Sequence, residues 1–461
     1  MKKQFKSIVS IAICFVILLC SVLFGIGCNN SNSNGTFEEY TEYEQFRFYC
    51  YGMPPLANTG VGAYANNPSY RTEEQYRYIA ECGFNYATIG DGNEVGIEDR
   101  LEALEALKKH NIKAIVYDTA LSSMMDLYYS AGATDNDDSI KMNKDLFIEN
   151  YESYSKYDNF AGVSISDEPH HDRFESIGKV YDFYRSVDPV GDYKVNLLCY
   201  SSPDLMGTSS YDTYVNDAVD MTKMTRLCFD SYPLNADGTV KEAHISNCSD
   251  IAKIAENKGI DWDCFILTYE HLFYANPKNY DDIAWQIYTA MAHGCKGIYP
   301  FVYFTPITAT TDPYAMISRD GERTQIYYSM QEVISEVRAF EHMYMNSTWT
   351  GTMYYVADPD YPNDAFASVK DPLESHYRIS KIQAKSDIMI GTFKDRDNRD
   401  AFLITSAAAP SKDVQNQVTI TFKNASRAVL YKKGRKVIVD LNNGKFTTTI
   451  GSGEGYYVIP L

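Results

Sequence analysis

The stretch Ala161-Gly162-Val163-Ser164-Ile165-Ser166-Asp167-Glu168-Pro169 is the part of the chain that decides the fold. Small and β-branched residues alternate through it with the period of a strand. Pro169 must end that strand, because proline has no N–H group to donate to a neighbouring strand. By the same period of two, Glu168 lies on the face of Ser164 and Ser166. The stretch therefore predicts a strand that ends in two acidic residues.

Seven further segments have the same strand character, and amphipathic helical stretches separate them. They are Phe46–Tyr51, Phe84–Ile89, Lys113–Tyr117, Lys194–Tyr200, Arg226–Tyr232, Cys264–Tyr269 and Gly297–Phe304. Eight strand–helix units that close on themselves predict a (β/α)8 TIM barrel. An open doubly wound sheet is the alternative, but its first strand is usually followed by a glycine-rich phosphate loop. This chain has Gly52-Met53-Pro54-Pro55 at that position, which favours the barrel.

The hydrophobic pattern changes after a last long helix predicted over residues 322–345. Period-two segments and turn residues follow, so we predict a barrel over residues 46–345 and a small antiparallel β-sandwich over residues 346–461. Within the second domain, Val437–Leu441 and Phe446–Ile450 flank the turn sequence Asn442-Asn443-Gly444. That arrangement predicts a β-hairpin.

The first residues predict an export signal and not a part of the fold. Three lysines within the first six residues precede an apolar run over residues 8–26. This pattern is typical of a secretory signal over residues 1–27. Cys28 follows a small residue, which favours a bacterial lipoprotein with Cys28 lipidated and residues 28–45 as a tether. An uncleaved membrane anchor is the alternative. Both interpretations predict an extracellular protein anchored to the bacterial cell membrane.

The net charge and the cysteine content argue against several kinds of partner and bound group. The formal net charge of −19 argues against nucleic acid and against electrostatic binding to anionic lipid, so membrane contact is expected only through the N-terminal anchor. Seven of the ten cysteines lie beyond Cys28. An odd number without paired spacing predicts neither a disulfide framework nor a zinc site. We therefore expect no metal and no cofactor.

Acidic and aromatic residues collect at the predicted strand ends, which form the active-site face of a (β/α)8 barrel. These residues are Asp118, Asp167, Glu168, Asp230, Tyr232, Glu270, His271 and Tyr303. A rim of acids and aromatics suits a neutral sugar, whereas a phosphate ester would call for Arg or Lys. Glu168 alone could be an acid at a helix start. Together with Glu270 on strand 7, it supplies the two carboxyl groups that glycosidic bond cleavage requires.

Three segments carry a resemblance to a known family. They are Gly162–Pro169, Asp230-Ser231-Tyr232-Pro233, and Ala292–Ile298 leading into Tyr303-Phe304. Over residues 46–345 the chain resembles the clan of retaining (β/α)8 glycoside hydrolases, which includes cellulases and β-galactosidases. The resemblance implies that Glu168 is the acid/base and Glu270 the nucleophile. It also implies that Tyr232 bonds the nucleophile and that Tyr303 is the sugar platform. Asp167 stands where the clan has Asn, and Tyr303 or Phe304 where it has Trp.

The sequence therefore predicts a surface-anchored glycoside hydrolase acting on an oligo- or polysaccharide. If Glu270 points away from Glu168, Asp230 is the next candidate for the second carboxylate. One alternative is a non-catalytic carbohydrate-binding barrel. Another is a metal-dependent hydrolase, which needs histidine ligands at the strand ends. The histidines of this chain are scattered, and the adjacent His170 and His171 lie on one loop, where histidines more often face solvent than bind a metal.

Overall fold

The computed structural model describes residues 37–55, 69–90, 96–270, 277–306, 314–360 and 363–461. Eight parallel strands form a closed barrel in which each strand bonds to the next and the eighth bonds to the first. They are β1 (Arg47–Cys50), β2 (Tyr86–Ile89), β3 (Lys113–Tyr117), β4 (Phe160–Asp167), β5 (Asp192–Leu197), β6 (Leu227–Asp230), β7 (Trp262–Leu267) and β8 (Gly297–Phe301). The predicted (β/α)8 barrel is confirmed.

Helices follow the barrel strands and cover the outside of the barrel. They are α1 (Glu73–Cys82), α2 (Ile97–Lys109), α3 (Thr119–Ser130), α4 (Asp138–Tyr154), α5 (Phe174–Val187), α6 (Pro203–Met206), α7 (Tyr211–Thr222), α8 (Ala243–Lys258), α9 (Tyr280–Ala292), α10 (Gln325–Arg338) and α11 (Glu341–Tyr344). Local sequence sets their ends. Helix α1 begins where the Thr72 side chain accepts a hydrogen bond from the Gln75 N–H (3.3 Å), and it ends at Gly83, whose φ of 100° favours glycine.

Aromatic side chains line the part of the barrel interior nearer the C-terminal mouth, and charged side chains line the part nearer the strand starts. The apolar cluster consists of Tyr49, Tyr86, Ile115, Cys228, Phe265 and Tyr299. Closer to the strand starts, Asp263 on β7 bonds Arg47 and Lys194, each at 3.0 Å. This buried ion cluster closes the N-terminal half of the barrel, so that a site can open only at the C-terminal mouth.

The C-terminal region is a sandwich of two antiparallel sheets. Its strands are β9 (Ser347–Tyr355), β10 (Ile379–Ala384), β11 (Ile388–Asp395), β12 (Asp400–Ser406), β13 (Gln415–Phe422), β14 (Arg427–Lys432), β15 (Arg435–Asp440), β16 (Lys445–Gly451) and β17 (Gly455–Pro460), with a short helix α12 (Asp364–Ala367) after β9. The orders are β15-β14-β17-β12-β11-β9 and β10-β13-β16. Side chains of both sheets share one core, and the predicted sandwich is confirmed.

The hairpin predicted around Asn442-Asn443-Gly444 is wrong. The turn is present, but β15 bonds to β14 in the larger sheet and β16 bonds to β13 in the smaller one. The chain crosses between the two sheets there, because burying Phe446 and Ile450 requires β16 in the opposite layer. The tight hairpin lies at Lys433-Gly434, where both φ angles are positive (49° and 68°), as a type I′ turn requires.

The sandwich packs closely on barrel helix α9. The carbonyl oxygen of Ala292 accepts bonds from Trp349 Nε1 (3.2 Å) and Thr352 Oγ1 (2.8 Å). A Cβ placed on Gly391 of β11 would lie 2.2 Å from the same oxygen, so the strand approaches the helix end at a distance that only glycine allows. Within the described residues, no helix combines the length and apolarity needed to cross a bilayer.

Candidate active site

The end of β4 brings two acids to the mouth of the barrel, but in an order that the period of two does not predict. Asp167, with Ser164 and Ser166, lines the cavity at the centre of the barrel. The backbone of Glu168 then turns into the left-handed region with φ 46°, and its N–H donates to the Asn196 carbonyl (2.9 Å). Glu168 is solvent-exposed and leaves the strand face predicted for it. Such a conformation is uncommon for a residue with a side chain and is typical of functional sites.

Asn196 on β5 fixes the orientation of Asp167. Its Nδ2 donates to Asp167 Oδ1 at 2.6 Å, while its own Oδ1 is buried without a partner. Loss of solvation raises the pKa of Asp167, and the charge of Glu168 raises it further, whereas the hydrogen bond from Asn196 lowers it. A donor to one Asp167 oxygen leaves the other oxygen available to a substrate hydroxyl.

Asp230 is the last residue of β6, and its side chain is only 5% exposed. Burial raises its pKa well above the usual range, and the neighbouring acids Glu168 and Asp167 raise it further. Acids at the ends of two different strands thus act on one another at the mouth of the barrel.

Glu270 is an exposed residue of the loop that follows β7. Strand β7 ends at Leu267, two residues earlier than the sequence predicts. Glu270 therefore lies in the loop after the strand and not at the strand end. It precedes His271, which lies outside the described residues. The roles assigned to Glu168 and Glu270 as a catalytic pair therefore stay predictions.

Half-buried aromatic rings line the mouth beside the acids. Tyr232 lies next to Asp230, and its ring centroid is 5.4 Å from that of Phe301, the last residue of β8. Tyr51, directly after β1, packs edge-on against Phe265 (4.9 Å). Burial, followed by the charge of Asp230, raises the pKa of Tyr232 well above its usual value, so its hydroxyl keeps its proton. These rings offer the apolar surface on which a sugar stacks.

Tyr303 is not part of this aromatic surface, which corrects the prediction of a sugar platform there. Its side chain is completely buried, and its ring packs edge-on against Phe84 at 5.7 Å. The physical reason is that β8 ends at Phe301, so its inward–outward alternation does not extend to residue 303. The Tyr303 N–H instead donates to the Tyr51 carbonyl (2.8 Å).

Asp118 is also removed from the predicted substrate-binding set. Its side chain is fully buried and caps helix α3 by accepting from the Ala120 N–H (2.8 Å). Its other oxygen accepts bonds from Asn150 (3.0 Å) and Tyr154 (2.8 Å). Because both oxygens are bonded inside the protein and the side chain is fully buried, this carboxylate stabilises the helix start and is inaccessible to a ligand.

The floor of the mouth is a small, mostly apolar cavity with a few polar groups, which the sequence analysis did not predict. It has a volume of about 50 Å³, and Asp167, Lys194 and Asn196 contribute polar groups to its wall. Lys194 Nζ donates to Tyr49 (2.8 Å) and to Asp263 (3.0 Å). The available signal was the segment Lys194-Val195-Asn196, in which two polar residues two apart interrupt an apolar strand.

The histidines near the mouth bond to carboxylates. His170 Nδ1 lies 2.7 Å from Asp172, and His171 Nε2 lies 2.8 Å from Asp217. Among the residues that the structure describes, no group of three or more His, Cys, Asp or Glu side chains could hold a metal ion.

Comparisons with known proteins give a fold and no family. No family model matches the sequence, and no curated protein matches it. Among solved structures, a family 39 glycoside hydrolase from Bacteroides cellulosilyticus WH2 has a TM-score of 0.50 at 12% identity and covers 90% of this chain and 81% of its own. The α-L-fucosidase isoenzyme 2 from Paenibacillus thiaminolyticus has a TM-score of 0.55 at 9% identity and covers 90% and 100%. At these identities the likeness shows a shared fold.

Proposed function

We propose that the protein is a glycoside hydrolase. The observation that carries the proposal is the position of Asp167, Glu168 and Asp230 at the C-terminal strand ends of a (β/α)8 barrel, beside half-buried aromatic rings. Carboxyl groups next to a surface on which a sugar can stack are what cleavage of a glycosidic bond needs. The two solved structures named above are a family 39 glycoside hydrolase and an α-L-fucosidase, which agrees with the proposal but does not assign the site.

In the proposed mechanism Glu168 is the acid/base and Glu270 the nucleophile. Glu168 protonates the leaving oxygen while Glu270 attacks the anomeric carbon. Water, deprotonated by Glu168, then releases the sugar with retained configuration. If Glu270 points away from Glu168, Asp230 is the next candidate for the second carboxylate, and a retaining pair requires carboxyl groups about 5–5.5 Å apart.

The proposed substrate is an oligo- or polysaccharide held by hydroxyl bonds to Asp167 and by stacking on Tyr51, Tyr232 or Phe301. The proposed location is outside the cell, with Cys28 as the lipid attachment point. The alternative of a carbohydrate-binding barrel without hydrolysis shares this site and differs only in the role of the carboxyl groups.

Aryl glycosides of both anomers and of several sugars test the proposal, with release of the aryl alcohol as the readout. We expect Glu168→Gln to lower kcat by about 10²–10⁴-fold, the usual contribution of a general acid. The matched control is Glu175→Gln, since Glu175 is an exposed glutamate on α5 that pairs with Lys179 (3.0 Å). The control should keep wild-type activity.

Azide distinguishes the two catalytic roles. With Glu270→Ala, azide should restore turnover and give a glycosyl azide of inverted configuration, because it takes the nucleophile's place. With Glu168→Ala it should give the retained configuration. If the wild-type protein binds oligosaccharides in calorimetry and hydrolyses none of them, the binding-barrel alternative replaces the enzyme.

A further inference from the structure

Tyr200 is an exposed aromatic residue at the mouth of the barrel, in the loop that follows β5. The strand ends at Leu197, so Tyr200 lies three residues beyond it, on the C-terminal side. The residue is 39% exposed. The ring of Tyr211, the first residue of α7, stacks on the Tyr200 ring with a centroid distance of 4.5 Å and an angle of 22° between the planes. One face of the Tyr200 ring is therefore covered, and the exposed area lies on the rest of the side chain.

Two hydrogen bonds hold Tyr200 in this position. Its backbone N–H donates to Oδ1 of Asn247 (2.9 Å), a fully buried residue of α8. Its hydroxyl accepts a bond from Lys370 Nζ (3.5 Å), and Lys370 also donates to Asp250 (3.3 Å). Lys370 belongs to the C-terminal region, so both domains fix this ring. An exposed ring that is already held in place loses little conformational entropy when a ligand packs on it.

The tyrosine stack is also connected to the acidic end of β4. The Tyr211 hydroxyl donates to the Leu198 carbonyl (3.1 Å). The Tyr214 hydroxyl, on the same helix, donates to the carbonyl of Pro169 (2.7 Å), the residue that follows Glu168. Helix α7 therefore holds the loop after β5 and the residue after Glu168 in one fixed arrangement.

The register of the barrel strands places Tyr200 near the acids of the mouth. Asn196 of β5 lies opposite Asp167, the last residue of β4. Tyr200 comes four residues after Asn196. Its Cα atom is therefore at most about 14 Å from that of Asn196, because an extended chain spans no more than about 3.6 Å per residue. An oligosaccharide of a few units can contact the acids and Tyr200 at the same time.

The chemistry around Tyr200 suits a neutral sugar. One face of a pyranose ring consists largely of C–H groups, which pack on the negative face of an aromatic ring. The hydroxyl groups at the edge of the sugar need hydrogen-bond partners, and the Lys370 ammonium beside the Tyr200 hydroxyl supplies donors for them.

We propose that Tyr200 is a second sugar-binding platform, and that the substrate is a chain with at least one further sugar on its leaving-group side. This inference rests on the proposed glycosidase function. Glu168, as the acid, contacts the leaving oxygen. Strand β5 is adjacent to β4, which leads to Glu168, whereas β6 separates it from β7, which leads to Glu270. The part of the substrate that leaves therefore extends toward Tyr200.

The first test measures binding. The full-length Glu168→Gln protein, which should leave the chain uncut, is titrated by calorimetry with cellohexaose, xylohexaose, mannohexaose and chitohexaose. Adding Tyr200→Ala should weaken binding of the best hexaose by about 10-fold, because an apolar stacking surface is lost. Adding Tyr200→Phe should preserve the affinity, since the ring and its stacking on Tyr211 remain.

The matched control is Tyr328→Ala. Tyr328 is a 48% exposed tyrosine on α10 that lines a cleft with Gly83, the residue between α1 and the start of β2. That cleft is at the opposite end of the barrel from the mouth, so this variant should bind the hexaoses as its parent does. Circular dichroism melting of each variant confirms that the comparison is made on folded protein.

The second test locates the platform on the leaving-group side. The preferred hexaose is labelled at its reducing end and hydrolysed by proteins that retain Glu168. The wild-type protein should release labelled fragments of two or more sugars, whereas Tyr200→Ala should cut closer to the label and release more labelled monosaccharide. The loss should appear in KM, because the platform binds substrate and transition state alike. A cut that moves away from the label would overturn the assignment to the leaving side.

Two outcomes separate this inference from the proposed function. Equal hexaose affinities in Tyr200→Ala and Tyr328→Ala, or no binding of any of the four hexaoses, would overturn the platform even if aryl glycosides are hydrolysed. An affinity that depends on Tyr200, together with no hydrolysis of any glycoside, would support the platform and contradict the glycosidase function.

Discussion

Asp263 and Asp230 are buried aspartates on neighbouring strands of one barrel, yet their surroundings are opposite. Asp263 on β7 lies between Arg47 and Lys194, and although burial opposes ionisation, these cations hold its pKa well below the usual range. Asp230 on β6 neighbours Glu168 and Asp167, and burial with these acids raises its pKa. The first aspartate is fixed as an anion that stabilises the fold. The second has surroundings that favour its protonated form, and it lies at the C-terminal end of the barrel, where the proposed site is.

The largest effect is expected from Asp263→Ala, which leaves Arg47 and Lys194 buried without their anion. We expect a loss of about 3–5 kcal/mol in the free energy of unfolding, measured by urea denaturation. The lowered pKa of Asp263 also predicts how this stabilisation depends on pH. The stabilisation is present above the pKa of the unfolded chain, about 3.9, and is lost as the pH falls through the native value.

The control for this prediction is Asp261→Asn. Asp261 also contacts Arg47 (3.2 Å), but its side chain is 40% exposed, and exposed pairs contribute about 0–1 kcal/mol. If the two variants lose the same free energy, the buried cluster does not stabilise the barrel as described.

Asp230→Asn should have the opposite effect on the free energy of unfolding and stabilise the protein at high pH. Its raised pKa means that the unfolded chain releases the proton near pH 4 while the native protein keeps it. Wild-type stability therefore falls as the pH rises through that interval, by about 1.4 kcal/mol for each unit of increase in pKa. The variant should equal wild type near pH 4 and be more stable at pH 8, as thermal melting at both values can show. A variant less stable at both values would contradict the comparison.

Asp281 is a half-exposed counterpart of Asp230 at the start of α9. Burial, then the charges of Glu454 and Asp413, raises its pKa to about 6. We expect Asp281→Asn to match wild type at pH 4 and to melt slightly higher at pH 8, by less than about 1 kcal/mol because solvent screens the group. The difference should shrink in 1 M salt, where the Debye length is about 3 Å. A difference that salt leaves unchanged would point to packing and not to charge.

The smallest effect is expected from Tyr303→Phe. The Tyr303 hydroxyl is buried without a hydrogen-bond partner, so its removal should change stability by no more than about 1 kcal/mol, and in the stabilising direction. Activity should be unchanged, whereas Phe301→Ala, at the mouth, should raise KM. Steady-state kinetics of both variants checks this, and a raised KM in Tyr303→Phe would restore the sugar platform at that position.

Much of the fold follows from periodicity, whereas the site depends on where strands end. The alternation in Gly162–Ser166 and the seven similar runs suffice to predict the barrel, because burial of one face fixes the period. The ends of β6, β7 and β8 fall two or three residues before the predicted ones. That error is minor for the fold, but it decides whether Tyr303 faces a sugar or the core.

The partners of the site were beyond the reach of sequence. Glu168 was found because it precedes a proline at a strand end, but nothing in the sequence indicates that its backbone turns into the left-handed region there. Asn196 required the register of β4 against β5, which shifts between Ser164 and Ser166. Asp118 carried a helix-capping signal before Thr119, and capping turned out to be its role.

Helix α9 is buried along most of its length, which has a consequence for how the protein is made. All residues from Ile283 to Ala292 are buried, and strands β11, β12 and β17 provide part of the cover. When β8 has been synthesised, one side of helix α9 still lacks the cover that the sandwich strands provide. That side stays uncovered until residues 455–460 have emerged from the ribosome. During that interval the nascent chain exposes an apolar surface that chaperones can bind.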